Sequence, residues 1–213
     1  MKEIVKIPLL IFLLSVLVAN SYALEKPTHE ALNENIANIS NVNSYLINQL
    51  GFSGGLKTTF NNKWAIDWIK LGGIREDEPM YTRSLNHFHN PLKEPWSSAG
   101  LKGTSKSSVI WAQDQGLAGF LTGGNFAWKN VREYFYTALT GKDFSGTWIA
   151  YSQAEKEIYY GATFRGIGQL MHLVEDASVP AHTRDDAHVV GYHYEEEVNK
   201  MRISREHIER TRI

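Results

Sequence analysis

The feature that most restricts the fold of this chain is a long helical pattern between Ser152 and Ala177. Apolar residues recur there at three- and four-residue steps, as on one face of an α-helix. These residues are Ile158, Ala162, Phe164, Ile167, Leu170, Met171 and Val174. Shorter helices are predicted at residues 27–50, 61–72, 107–121 and 125–141, with a last charged helix from about Tyr192. No run of alternating residues indicates a strand, so the sequence predicts an all-α fold.

Glycine and proline mark the expected ends of these helices. We expect the Gly72-Gly73 pair to end the second helix, Gly141 the fourth and Pro180 the longest. Prolines and glycines are frequent from the glycine pair to about Thr104, and this section is predicted to be irregular. Functional sites are often built on such loops.

Length and composition suit one globular domain with a sizeable core. The chain has 213 residues, of which 43% are hydrophobic, and its net charge is −1. Sequence-independent binding of nucleic acid usually requires a surplus of basic residues, so the charge gives no argument for it.

The first 23 residues have the order of a secretory signal peptide. Lys2 and Lys6 precede an apolar run over residues 7–19, and Ser21 and Ala23 occupy the −3 and −1 positions of a cleavage site. The run is short for a membrane span of about 20 residues, and an uncleaved anchor is the alternative. We expect a secreted or periplasmic protein whose mature domain covers 24–213. The sequence stops inside an apparent helix, which leaves open a longer natural chain.

The chain contains no cysteine. An exported protein without disulfides must be stabilised by its core and, where it has one, by bound metal. Thiolate ligands are excluded as well. Histidine, carboxylate, backbone groups and water remain as ligands for a metal such as zinc.

Half of the eight histidines lie within residues 168–198, among many carboxylates. His172 and Asp176 are four residues apart in the longest predicted helix, so they share one face and could bind one metal ion. Such a pair is common by chance, because helix-face histidines usually form ordinary hydrogen bonds. A carboxylate among apolar neighbours, however, needs a partner or a metal.

Three further residues strengthen the metal-site interpretation. His182 follows beyond Pro180, and His193 and Glu197 repeat the four-residue spacing in the next predicted helix. Two such pairs on either side of a proline turn and a further histidine favour a ligand cluster over solvated surface groups.

Residues upstream could complete the cluster. The predicted irregular section contains Asp77, His87 and His89. The two histidines alternate, so in an extended segment at most one of them is expected to enter the cluster. His29 lies near the predicted mature N-terminus, Leu24, and alone would be interpreted as a surface histidine.

In this order the residues resemble the zinc-dependent phospholipase C and S1/P1 nuclease superfamily, exported all-α enzymes that hold three zinc ions in a cleft. The family pattern of His, three residues, Asp, five residues, His is similar to His172, Asp176 and His182. Its next element, His and an acid four residues apart, is similar to His193 and Glu197. The resemblance covers residues 24 to about 200.

The earlier family elements are similar too. His87 in "NHFHNP" matches the motif HF-x-(D/N)-P, and the preceding aspartate falls in "REDEP", where Asp77 is preferred and Glu76 is the alternative. His29 matches the histidine that follows the mature N-terminus. "GYH" before Tyr194 is similar to the phospholipase form, and His188 is the alternative to His193.

The resemblance implies three zinc ions. The first would be bound by Asp77, His87, His172 and Asp176. The second would be bound by His182, His193 and Glu197. The third would be bound by His29, by Asp176 as a bridge, and by the α-amine and carbonyl of residue 24. The family often has tryptophan there, but Leu24 offers the same backbone atoms.

The activity implied is phosphodiester hydrolysis, with Asp77 and Asp176 as the catalytic residues that hold or orient the attacking water. A phospholipase C, acting on phospholipid at a membrane surface, is favoured by the "GYH" and "HFHNP" forms and by the lack of cysteine. The alternative enzyme is a single-strand nuclease with 3′-nucleotidase activity, which would stack a nucleic-acid base on aromatic residues. A non-catalytic zinc-binding protein is the third hypothesis, for which closed four-ligand sites are expected.

Overall fold

A computed structural model describes residues 24–184, 186 and 193–210. The structure is mostly helical, which confirms the predicted all-α class. Its longer α-helices are α1 (Lys26–Ile39), α2 (Val42–Asn48), α3 (Ala65–Arg75), α7 (Trp128–Thr140), α8 (Gln153–Asp176) and α10 (Tyr194–Arg210). Its shorter α-helices are α4 (Met80–Arg83), α5 (Ser108–Gln113), α6 (Gly116–Leu121) and α9 (Pro180–Thr183). Strands β1 (Thr59–Phe60) and β2 (Lys63–Trp64) pair antiparallel.

Short 3₁₀ turns occupy much of the section between α2 and α5. They lie at Gly55–Lys57, Ser84–Asn86, Trp96–Ser98 and Leu101–Gly103. Apart from these turns and α4, the chain between α3 and α5 has no regular element, as the prolines predicted. None of the described helices is long and apolar enough to cross a membrane. The predicted signal peptide, residues 1–23, lies outside the described residues.

Helix α8 is the central element, and it confirms the predicted helix at 152–177. It begins at Ser152, whose hydroxyl accepts the N–H of Glu155 while the Glu155 carboxylate accepts the N–H of Ser152. This reciprocal cap satisfies two backbone donors at the helix start. α8 packs most extensively against α3 and α7, and α3 also packs against α1.

The apolar core lies where α8 meets α3, α7 and the β-hairpin. The Phe60 ring of β1 stacks on Tyr160 and Phe164 of α8, with centroids 4.6 and 5.5 Å apart. Burial of such aromatic rings is the main stabilising contribution on this side of α8. Ile167 and Met171, nearer the end of α8, also pack against this core, so the core fixes α8 along most of its length.

The prediction that the Gly72-Gly73 pair ends a helix is wrong, because α3 continues through it. These glycines allow close helix packing. A Cβ on Gly72 would lie 2.2 Å from the carbonyl oxygen of Arg165 in α8. A Cβ on Gly168 of α8 would lie 2.0 Å from the carbonyl oxygen of Ile69. The missing side chains let the backbones of α3 and α8 approach each other directly.

Two predicted helices are each divided in the structure. The helix predicted at 27–50 breaks at Ser40, which has an extended backbone and closes α1. The helix predicted at 107–121 breaks between α5 and α6. There the Asp114 side chain accepts the N–H of Gly116, whose φ is +58°. Short polar side chains that bond to nearby backbone compete with helix continuation in this way.

The helix predicted at 61–72 begins later than expected, at α3. Asn61 and Asn62 have φ of +46° and +67° and form the two-residue turn between β1 and β2. Asparagine tolerates this left-handed backbone, which two-residue hairpins favour. The helix predicted at 125–141 is confirmed as α7, with Gly141 in the left-handed conformation as its C-cap.

Candidate metal centre

Most of the predicted ligands meet in one buried cluster at the C-terminal end of α8. Each of these side chains belongs to a residue at most 1% exposed. The cluster consists of His29, Asp77, His87, His172, Asp176 and His182. Helix α1 supplies His29, and the section between α3 and α5 supplies Asp77 and His87. Helix α8 supplies His172 and Asp176, and α9 supplies His182.

Hydrogen bonds at Nδ1 orient several of the imidazole rings. His172 Nδ1 donates to the carbonyl oxygen of Gly73 at 2.6 Å. His29 Nδ1 donates to Glu175 Oε2, also at 2.6 Å. The rings of His29 and His172 stack with centroids 3.6 Å apart. A donor role for Nδ1 leaves the Nε2 lone pair of a neutral imidazole as the metal ligand, and such outer partners fix the tautomer.

The Nε2 atoms of these two rings face the carboxylate of Asp176. His29 Nε2 is 3.3 Å from Asp176 Oδ1, and His172 Nε2 is 3.2 Å from Asp176 Oδ2. None of these four atoms has a hydrogen-bond partner among the described residues. Ligands about 2.0–2.1 Å from a tetrahedral zinc are about 3.3 Å apart. The spacing and the orphaned atoms therefore fit a metal ion held between the three side chains.

A second group overlaps the first. Asp77, His87 and His172 offer ligand atoms that lie within 4.8 Å of one another, as do His29, His172 and Asp176. His87 Nδ1 lies 2.7 Å from Asp176 Oδ2 and 3.8 Å from Asp77 Oδ1. His172 belongs to both groups, and Asp176 of the first group also lies close to His87 of the second.

Burial and the charges of neighbouring groups shift the pKa values of the cluster residues. Burial lowers the pKa of His87, but the attraction of Asp176 outweighs it, and the pKa is raised to about 10. Burial likewise opposes protonation of His29, yet the nearby carboxylates of Asp176 and Glu175 raise its pKa to about 9. Burial raises the pKa of Asp77. Without a metal ion, the protonated imidazoles of His29 and His87 would balance the carboxylate charge.

The structure distinguishes Asp77 from its alternative, Glu76. Glu76 has other buried partners, since Arg83 Nη2 and Trp111 Nε1 donate to its two oxygens, each at 2.6 Å. Burial alone would raise the pKa of Glu76. The charge of Arg83 and the hydrogen bonds that the Glu76 carboxylate accepts outweigh this effect, and the pKa is lowered overall. Asp77 Oδ2 has no partner among the described residues. Of the two acids, Asp77 has the free oxygen that a metal or water requires.

His182 and His89 behave differently in the structure. His182 Nδ1 lies 3.2 Å from the carbonyl oxygen of His87 and 3.8 Å from Asp176 Oδ2. His89 instead bonds to the Ser107 hydroxyl at 2.8 Å. Only one of the two alternating histidines is therefore in the cluster, in agreement with the expectation from their spacing.

His193 and Glu197 are not brought into this cluster. The side chain of His193 is 74% exposed and lies 3.4 Å from Glu196. Glu197, also exposed, pairs with Lys200 at 3.0 Å. Both side chains thus lie in solvent with neighbours from their own segment, and their assignment as ligands stays a prediction. The alternative, His188, lies outside the described residues.

Leu24 is placed beside the cluster. Its buried side chain packs with Val179 and Ala181, which precede His182 in the chain. α1 begins two residues later and carries His29 in its first turn. The predicted backbone ligand therefore lies between two elements that supply histidines, and its coordination stays a prediction.

Sequence reasoning missed two groups that orient the cluster: the Glu175 carboxylate and the Gly73 carbonyl oxygen. Glu175 is 146 residues from His29 in the chain, so no spacing rule connects them. The Gly73 carbonyl oxygen can accept the hydrogen bond of His172 because α3 packs so close to α8. A second acid beside Asp176 was the one available signal for Glu175.

Comparisons with family models, with curated proteins and with solved structures found no match to this chain.

Proposed function

We propose that this protein is a zinc-dependent phosphodiester hydrolase of the phospholipase C and S1/P1 nuclease type, with phospholipase C activity. One observation carries the proposal. The Nε2 atoms of His29 and His172 face the oxygens of Asp176 at 3.2–3.3 Å, and in the described part of the chain neither nitrogen has a hydrogen bond, as expected for ligands of a shared ion. The resemblance of the ordered motifs adds the enzyme class.

The donor set supports zinc. Imidazole nitrogen and carboxylate oxygen are both common zinc ligands, and the chain has no thiolate to offer. One ion would be held by Asp77, His87 and His172, and another by His29 and the backbone of residue 24, with Asp176 shared. A third would be held by His182 together with His193 and Glu197, which would have to move from solvent.

Bound zinc would supply the charge that stabilises a phosphoryl group and makes a water molecule more acidic. The protein's own groups would do the rest. Asp176 would be the ligand that the two zinc ions share. Asp77 Oδ2, which has no hydrogen-bond partner among the described residues, would orient the attacking water and accept its proton.

A non-catalytic zinc-binding protein is the second candidate. It is favoured by one observation: every cluster side chain is almost fully buried, as in a closed structural site. A single-strand nuclease would use the same metal chemistry on a different substrate, and its test is part of the same experiment.

The experiment measures zinc and turnover on one preparation, starting at Leu24 as an exported protein would. Elemental analysis should give two to three zinc ions per chain, and p-nitrophenylphosphorylcholine should be hydrolysed until a chelator is added. Less than one zinc per chain contradicts the metal centre. Zinc without turnover identifies a binding protein, and faster cleavage of single-stranded DNA identifies the nuclease.

A further inference from the structure

Helix α6 presents an apolar surface to solvent. Its Leu117, Phe120 and Leu121 are 71%, 70% and 70% exposed. Single exposed apolar residues are ordinary, but three large ones on a six-residue helix form a contiguous patch of the kind that marks an interaction site.

This exposure is not the result of a loose loop. Gln115, which is fully buried before α6, accepts the N–H of Phe126 at 2.7 Å. Behind α6, Arg83 Nη1 donates to the carbonyl oxygen of Gly124 at 3.0 Å. Both ends of the segment are thus fixed to the body of the protein, and α6 projects as a defined tip.

The same contacts connect the tip to the metal cluster. Arg83 is nearly fully buried, and its other terminal nitrogen donates to Glu76. Trp111 of α5 donates to the second oxygen of Glu76. Glu76 immediately precedes Asp77 in the chain. The position of the tip relative to the cluster is therefore set by buried, charge-assisted bonds.

The base of the tip, formed by the residues next to α6, carries positive charge. Lys106 Nζ donates to the carbonyl oxygens of Asp114 and Gln115 at 3.1 and 3.2 Å. Lys129 Nζ lies 3.2 Å from the Asp114 carboxylate. Two lysines and one aspartate leave a net positive charge. Lysines beside an apolar segment are typical of groups at a membrane–water interface.

We propose that α6 inserts into the surface of an anionic phospholipid bilayer and so brings the metal cluster to its lipid substrate. The choice of a lipid surface rests on the proposed phospholipase activity. A second copy of this chain is the rival occupant, but it would bring the lysines of two tips together. An anionic bilayer complements both the apolar residues of α6 and the lysines next to them.

The test compares zinc-loaded wild-type protein with the double variant Leu117→Gln/Phe120→Gln. Glutamine keeps helix propensity and removes the apolar surface. Co-sedimentation with vesicles of phosphatidylcholine and phosphatidylglycerol should weaken at least about tenfold. Turnover of soluble p-nitrophenylphosphorylcholine should not change. Ile39→Gln, which alters an 86% exposed residue at the end of α1, is the matched control and should bind vesicles as the wild type does.

Several outcomes would overturn the inference. They are wild-type-like vesicle binding by the double variant, no vesicle binding by the wild type, or a wild-type dimer that the double variant converts to monomer. If the double variant loses its helical circular dichroism, Leu117→Gln alone replaces it, with the same expected direction. A wild type that binds vesicles but does not turn over the soluble substrate contradicts the proposed function and leaves the membrane docking supported.

Discussion

Among single residues, Asp176 is the one on which the cluster depends. Its oxygens lie 3.3, 2.7 and 3.2 Å from nitrogens of His29, His87 and His172. Burial raises the pKa of Asp176, but the attraction of these imidazoles holds it well below its usual range. The side chain is therefore a carboxylate at neutral pH, ready to bind metal through both oxygens.

Asp176→Asn and His172→Ala are each expected to lower phosphodiesterase turnover at least about a hundredfold. Both should also lower the melting temperature of the zinc-loaded protein by more than about 5 °C, because bound metal stabilises the folded state. His207→Ala, on the charged α10, is the control and should change neither quantity. Wild-type turnover by Asp176→Asn would refute the bridging role.

Glu175→Gln is expected to weaken zinc binding by about ten- to a hundredfold, since outer partners of ligating histidines have effects of this size. The Glu175 carboxylate accepts the Nδ1 proton of His29 and keeps Nε2 directed at Asp176. Competition with a chromogenic chelator would measure the affinity. Glu34→Gln removes an exposed acid that pairs with Lys70 and should leave the affinity unchanged.

Zinc removal is expected to change how stability depends on pH. The raised pKa values of His29 and His87, about 9 and 10, mean that folding favours their protonated forms. In chelator-treated protein this contribution is full below about pH 6.5 and is lost as pH rises through 9 and 10. Zinc requires the neutral imidazoles, so its binding strengthens over the same range.

Thermal melts from pH 6.5 to 10 should therefore show a gap between zinc-loaded and chelator-treated protein that widens with pH. The zinc-loaded form is the reference for any general alkaline destabilisation. A gap that stays constant or narrows would mean that these histidines do not exchange protons for metal.

Among the helices, the α3–α8 contact determines the geometry of the site. Gly72 and Gly168 allow the two backbones to approach. As a result the carbonyl oxygen of Gly73 reaches His172 Nδ1. The sequence predicted both helices from their apolar periodicity, but it placed a helix end at the glycine pair. Periodicity reports which face is buried, whereas the distance of closest approach depends on a partner helix far away in the chain.

Gly168→Ala is expected to separate α3 from α8, because the new Cβ would lie 2.0 Å from the Ile69 carbonyl oxygen and backbone cannot yield as a side chain does. We expect a loss of roughly 1–3 kcal/mol in unfolding free energy, together with weaker zinc binding through His172. Denaturant unfolding and zinc titration measure the two effects. Gly161→Ala in the same helix meets only the Trp68 ring, at 2.9 Å, and should cost less. Equal losses in the two variants would argue against a special role for the α3–α8 contact.

At the scale of the whole molecule, the cluster unites elements from both ends of the chain. The residues that meet in the cluster were predictable from residue type and order, and the helix spacing correctly placed His172 beside Asp176. The position of His29 was not predictable in this way, since it depends on the packing of α1 against α3. The exposed position of His193 was also not predictable, because spacing within α10 says nothing about where that helix begins in space.

The N-terminus offers the last prediction. Residue 24 is proposed to bind zinc through its α-amine and carbonyl, next to His29, and its side chain is already anchored against Val179 and Ala181. An α-amine can bind metal only when it is unblocked and neutral, and its usual pKa of about 7.7–8.0 is easily lowered by an ion. Cleavage after Ala23 would thus create a ligand.

Protein that starts at Leu24 should be compared with protein that carries a Met-Gly extension. The extended form should lose one of three zinc ions and most phosphodiesterase activity while its helical circular dichroism is unchanged. Equal zinc content and equal turnover would show that the α-amine is not a ligand.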